Sequence, residues 1–243
     1  MEKAIEVVNL HKYFGKVKAL NGLSFMVNPG EIYGLIGPNG AGKTTTLRIL
    51  ATLIRPTSGS ARIFGLNVER EANKVRRIIG YLPEEAGAYR NLSGTEYLEF
   101  IASFYFRDKR EIKDAVYEAE EISGLGERLR DKIKTYSKGM IRRLLVARTL
   151  MIKPKLAILD EPTSGIDIIH AYHIRRVIKN YAKDYKVTVL LSSHNMFEVE
   201  FLCTRIAFIN KGRILVEGSP EEIKTRYEAS DLEEAFMEVA RSA

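Results

Sequence analysis

Residues 37–44 read GPNGAGKT, which places two glycines, a lysine and a threonine at the spacing G-x-x-x-x-G-K-[ST]. These residue types at this spacing suit the holding of polyphosphate. Glycines let successive backbone N–H groups face anionic oxygens with no Cβ in the way, and Lys43 can reach the β- and γ-phosphates. The Thr44 hydroxyl can ligate Mg2+. A helix starting near Gly42 would aim its positive end at the same oxygens. The candidate nucleotide-binding loop is therefore Gly37, Pro38, Asn39, Gly40, Ala41, Gly42, Lys43, Thr44 and Thr45.

A second reactive group lies downstream. Residues 156–161 read LAILDE, an apolar run ending in two acids. Asp160 is placed to hold the Mg2+ shell, and Glu161 to act as general base or to orient the water attacking a γ-phosphate. Two adjacent carboxylates alone could be a solvated turn. With a phosphate loop in the same chain, the catalytic reading takes precedence.

The surrounding pattern supplies elements to carry these groups. Residues 31–37 (EIYGLIG) read as a strand and residues 43–54 (KTTTLRILATLI) as a helix, so the loop joins strand to helix. The runs at 155–160 (KLAILD) and 186–193 (KVTVLLSS) are continuously apolar, as a parallel sheet covered on both faces requires. Residues 5–28 alternate like short strands before the turn Asn28-Pro29-Gly30. Helical spacing dominates from about 95 to 129, and 205–217 reads as a hairpin turning at 210–212. The tail from 221 to 243 reads as one or two short amphipathic helices.

The bulk properties set limits on function. A chain of 243 residues, 45% hydrophobic and 28% charged, can bury one large core. No stretch approaches the ~18 consecutive apolar residues of a membrane-spanning helix, and MEKAIEVVNLHKYF at the start lacks the apolar region of a signal peptide. Any membrane link is expected to come through a partner. The formal charge of +7 is spread along the chain, so nucleic acid is not expected as a ligand. The single cysteine, Cys203, lies in an apolar run and is expected to be a small buried side chain in a reducing compartment.

The order GPNGAGKTT, YSKGM (136–140), LAILDEPTSGID (156–167) and LLSSH (190–194) resembles the ABC ATPases, and the resemblance covers essentially the whole chain. It implies an α/β fold: a P-loop NTPase core (about 31–85 and 150–220), an N-terminal antiparallel β-subdomain (about 1–30), an inserted helical subdomain (about 86–149) and a C-terminal helical tail (221–243). It implies a head-to-tail dimer, homomeric or heteromeric, closing on two molecules of ATP with Mg2+. It further implies separately encoded transmembrane permease subunits, with this chain peripheral on the cytoplasmic face of the membrane. YSKGM is closest to the variant found in ABC-2-type exporters. Family members that act on nucleic acid generally carry coiled-coil insertions, zinc motifs or tandem domains, which this chain lacks.

By resemblance, Ser137 and Gly139 face the partner's γ-phosphate, Asp167 belongs to the loop that couples the two sites, and His194 is the switch histidine. Read alone, Ser137 would be a helix N-cap and His194 a loop or core histidine. Phe14 or Tyr13, in KYFG, matches the aromatic that stacks on adenine, with Phe14 favoured; either could be a core aromatic instead. Lys138 and Met140 replace the family's glycine and glutamine. Glu84, in YLPEEAG, stands where the family carries a glutamine that ligates Mg2+. A carboxylate is also a hard oxygen ligand, so metal binding is expected to survive.

Overall fold

The computed structural model of the chain describes residues 2–241; the last two residues of the expected tail, Ser242 and Ala243, lie outside them. Strands β1 (Ile5–Phe14) and β2 (Val17–Val27) are followed by β3 (Ile32–Ile36), helix α1 (Lys43–Leu50), β4 (Ser58–Ile63), β5 (Leu66–Asn67), α2 (Ala72–Arg76) and β6 (Ile79–Leu82). The helical insertion then contributes α3 (Gly94–Ala102), α4 (Lys109–Ser123) and α5 (Lys138–Leu150). The core resumes with β7 (Leu156–Asp160), α6 (Ile168–Tyr185), β8 (Thr188–Ser193), α7 (Met196–Leu202), β9 (Arg205–Asn210) and β10 (Arg213–Gly218). Helices α8 (Pro220–Arg226) and α9 (Leu232–Arg241) complete the described chain.

The strands form a four-stranded antiparallel sheet, β2-β1-β4-β5, and a six-stranded sheet, β10-β9-β3-β8-β7-β6. All neighbours in the larger sheet run parallel except the edge hairpin β9–β10. Side-chain alternation explains its unbroken apolar runs. Tyr33, Leu35, Ile158 and Leu190 face one core, shared with α1 and the antiparallel sheet. Ile32, Ile36, Leu159 and Leu191 face another, shared with the helices. Tyr97 and Leu98 of α3 and Leu144 of α5 belong to that second core, so the insertion is packed continuously onto the sheet.

Three elements differ from the sequence expectation. The antiparallel sheet reaches beyond residue 30: β4 pairs onto β1, and β5 onto β4, within the segment read as core. Helix α1 stops at Leu50 rather than near 54, because Thr52 takes a left-handed φ of 62° and Pro56 disfavours helix at Arg55. Strand β8 starts at Thr188, because Lys186 caps the end of α6 in the left-handed region. The hairpin turn sits at Lys211 and Gly212, both with positive φ, as a two-residue connection between twisted strands demands.

Candidate functional site

The loop from 37 to 42 leaves the C-terminal end of β3, an inner strand of the parallel sheet, and runs into the N-terminus of α1. Two of its glycines are sterically required. A Cβ at Gly37 would collide with the carbonyl of Ile209 on β9, and Gly42 takes φ 111° with the Ala19 carbonyl 2.8 Å from where its Cβ would stand. The hairpin turn braces the same loop: the Gly212 N–H donates to the Ala41 carbonyl at 2.9 Å.

Lys43 is buried, and its ammonium group donates to the carbonyls of Gly37 (2.7 Å) and Pro38 (3.4 Å). Its Nζ also lies 3.7 Å from Glu161 Oε1. Glu161 follows β7 directly in a left-handed conformation, φ 48°, and its other oxygen lies 2.8 Å from His194 Nδ1. The buried glutamate thus sits between the phosphate-loop lysine and a histidine whose side chain is 56% exposed.

Asp160, the residue before, is buried at the end of β7. Its Oδ1 accepts hydrogen bonds from Ser192 Oγ (2.5 Å) and Thr44 Oγ1 (3.2 Å), and β7–β8 register sets Asp160 opposite Ser192. Oδ2 is buried with no hydrogen-bond partner among the described residues. Burial raises the carboxyl above its ordinary value, against the two hydroxyls that lower it. A carboxylate oxygen left unsatisfied beside a threonine hydroxyl is what a hard cation needs. No group of three or more His, Cys, Asp or Glu side chains forms a metal cage among the described residues.

A cleft of about 450 Å3 lies over the loop, lined by residues 38–45 together with Phe14, Lys18, Glu84 and Glu161. Phe14 is 50% exposed there. Tyr13 is outside the lining, its hydroxyl joined to His11 Nδ1 at 2.9 Å. Ser137, Gly139 and Asp167 do not line this cleft. Ser137 caps α5, its Oγ accepting from Met140 N–H at 3.2 Å. Gly139 seats the ring of His170, with no room for a Cβ. Asp167 caps α6 through the His170 N–H, which holds its carboxyl below the usual range. Cys203 is buried, and burial raises its thiol well above the ordinary value.

Sequence reasoning missed three participants. Ser192 fixes Asp160, Gly212 braces the phosphate loop, and Arg142 on α5 spans the rear of the site. Ser192 was hinted at by the polar pair that ends LLSSH. Gly212 and Arg142 carried no local signal.

A phosphate loop between strand and helix, faced by an Asp–Glu pair at the end of a parallel strand one removed in the same sheet, defines a P-loop nucleoside triphosphatase. Comparison with known proteins refines the class. The family model described as ABC transporter matches residues 20–164. The linearmycin resistance ATP-binding protein LnrL of Bacillus subtilis (strain 168) is 37% identical, over 98% of this chain and 79% of its own length. The bacitracin transport ATP-binding protein BcrA of Bacillus licheniformis is 39% identical, over 93% of this chain and 73% of its own. The ATP-binding cassette MJ0796, solved as a dimer in a post-hydrolysis state bound to ADP and Pi, superposes with a TM-score of 0.80 at 25% identity, covering 88% of this chain and 98% of that one. This chain belongs to the ABC transporter family and is one of its ATP-binding, ATP-hydrolysing subunits.

Proposed function

We propose that the chain works as a dimer around two ATP molecules and drives separately encoded membrane subunits of an exporter. The observation that carries the reading is the placement of Glu161 between Lys43 and His194 at the mouth of the phosphate-loop cleft. Lys43 and the loop amides bind the phosphates. Glu161 takes the proton of the attacking water, and His194 holds the glutamate's second oxygen and faces the γ-phosphate. Phe14 stacks on the base. Thr44 and Asp160 would hold Mg2+, with Glu84 at the cleft wall as a further oxygen donor; the ion would offset charge on the phosphate oxygens.

Since Ser137 and Gly139 lie outside this chain's own cleft, the helix start that they form is available to the nucleotide of a second copy, where an anion suits a helix N-terminus. Asp167, at the start of α6, would sit at the same junction. Attachment to the membrane through a partner is supported by the absence, among the described residues, of any helix long and apolar enough to cross it. Export is supported by two relatives that are named for linearmycin resistance and for bacitracin transport.

The test uses Glu161→Gln. Without the base, ATP binds but is not cleaved, so the variant is expected to elute as a dimer in ATP and as a monomer in ADP. A monomer at saturating ATP and high protein concentration would overturn the sandwich.

A further inference from the structure

The geometry points to Arg142 as a positioning residue for hydrolysis, one that ties the partner-facing helix α5 to both catalytic loops of its own chain. Its side chain is buried, and all five guanidinium N–H groups are used, each on a backbone carbonyl. Nε donates to Pro162 at 2.8 Å. One terminal nitrogen donates to Pro83 and Glu84, both at 3.0 Å, and the other to Asp160 and Glu161, both at 2.7 Å.

These carbonyls belong to two segments that leave neighbouring strands, β6 and β7. One contains Glu84, at the cleft wall. The other contains the two acids of the site, and Glu161 there has the left-handed backbone that a side-chain-bearing residue adopts only when its surroundings hold it. Arg142 lies on the helix capped by Ser137, five residues further along. A displacement of α5 therefore reaches the Glu84 carbonyl and the Glu161 carbonyl through one rigid planar group. Lysine cannot substitute: its ammonium has three donors around one point, whereas the fork reaches carbonyls on two segments. Burial lowers the guanidinium from its ordinary value, so holding it there has a cost that a purely space-filling side chain would avoid.

This inference rests on Glu161 serving the attacking water, so Glu161→Gln is measured alongside. Wild-type turnover in Glu161→Gln would sink that reading of the site, whatever Arg142 does. Arg142→Lys and Arg142→Gln are purified and checked for a cooperative melt. Each is then assayed for ATP turnover, for affinity for a fluorescent ATP analogue, and for amide hydrogen exchange. The expected result is affinity within about threefold of wild type and turnover at least roughly tenfold slower. Protection is expected to be lost together at the end of β6 (81–82) and in the 160–164 segment, while residues 41–46 keep theirs. Turnover within twofold of wild type in a folded variant overturns the assignment, as does protection lost evenly along the chain, which would mark a merely structural side chain. If neither variant folds, exchange of the wild type is followed in urea below the unfolding transition. The two segments are then expected to open as one unit, and their opening at different urea concentrations overturns the proposal.

Discussion

His194 Nδ1 stands 2.8 Å from Glu161 Oε2 and Lys43 Nζ stands 3.7 Å from Oε1, so two nitrogens flank one buried carboxylate beside the phosphate loop. Glu161→Gln is expected to lower turnover by about 10²–10⁴-fold, the usual worth of a positioned base, with ATP affinity kept. His194→Ala removes one anchor of the carboxylate but leaves the base, so its loss is expected to be smaller. Single-turnover rates at saturating ATP make the comparison; a larger loss in His194→Ala than in Glu161→Gln would reverse the assigned roles.

Asp160 gives a pH signature. Its folded-state pKa is raised by burial, so between the ordinary carboxylate value and the raised one the folded protein keeps a proton that the unfolded chain has lost. Stability then falls as pH rises through that window. Glu198, buried between Thr163 and Ser193, is raised by burial too and adds the same slope. Asp160→Asn is expected to gain stability relative to wild type as pH climbs from about 4 toward neutrality, and to lose ATPase activity. Urea unfolding of both proteins across that range checks the sign.

Only one of the two candidate aromatics borders the cleft. Phe14→Ala is expected to raise KM for ATP by roughly 5- to 150-fold, the range of a lost base–aromatic stack worth about 1–3 kcal/mol, with kcat little changed. Tyr13→Ala, which breaks a contact with His11 instead, is expected to stay within about twofold. Equal effects would mean that the base lies elsewhere.

Glu84 borders the same cleft. A carboxylate gains more from a nearby divalent cation than an amide does. Glu84→Gln is therefore expected to remain an active ATPase that needs more Mg2+ for half its maximal rate, and Glu84→Ala to fall further. A Mg2+ titration at fixed ATP decides; identical curves for all three proteins would place Glu84 away from the ion.

The sequence disclosed most where chemistry and local backbone coincide. The phosphate loop needs its glycines for close approach, and the two-faced strands need apolar residues at every position, so both are written in consecutive letters. Residues whose work depends on distant segments were hidden. Arg142 shares α5 with Arg143 and Arg148, and nothing local says which guanidinium turns inward. β4, SGSARI, buries only Ala61 and Ile63, too few apolar positions to reveal a strand that joins the N-terminal sheet. Ser137 shows the converse: its capping bond was legible, but a cap alone does not tell which nucleotide, if any, it meets.

Lys43 carries one more consequence. Its ammonium is already held by two carbonyls and approached by a carboxylate, so an arriving anion must outbid three oxygens to win it. A lone phosphate or sulfate brings little charge to that contest, whereas a triphosphate brings several charges on one tether. A triphosphate is accordingly better equipped than a single-phosphate anion to draw the lysine from its three oxygens. Once the terminal phosphate had gone, the same three oxygens would take the lysine back.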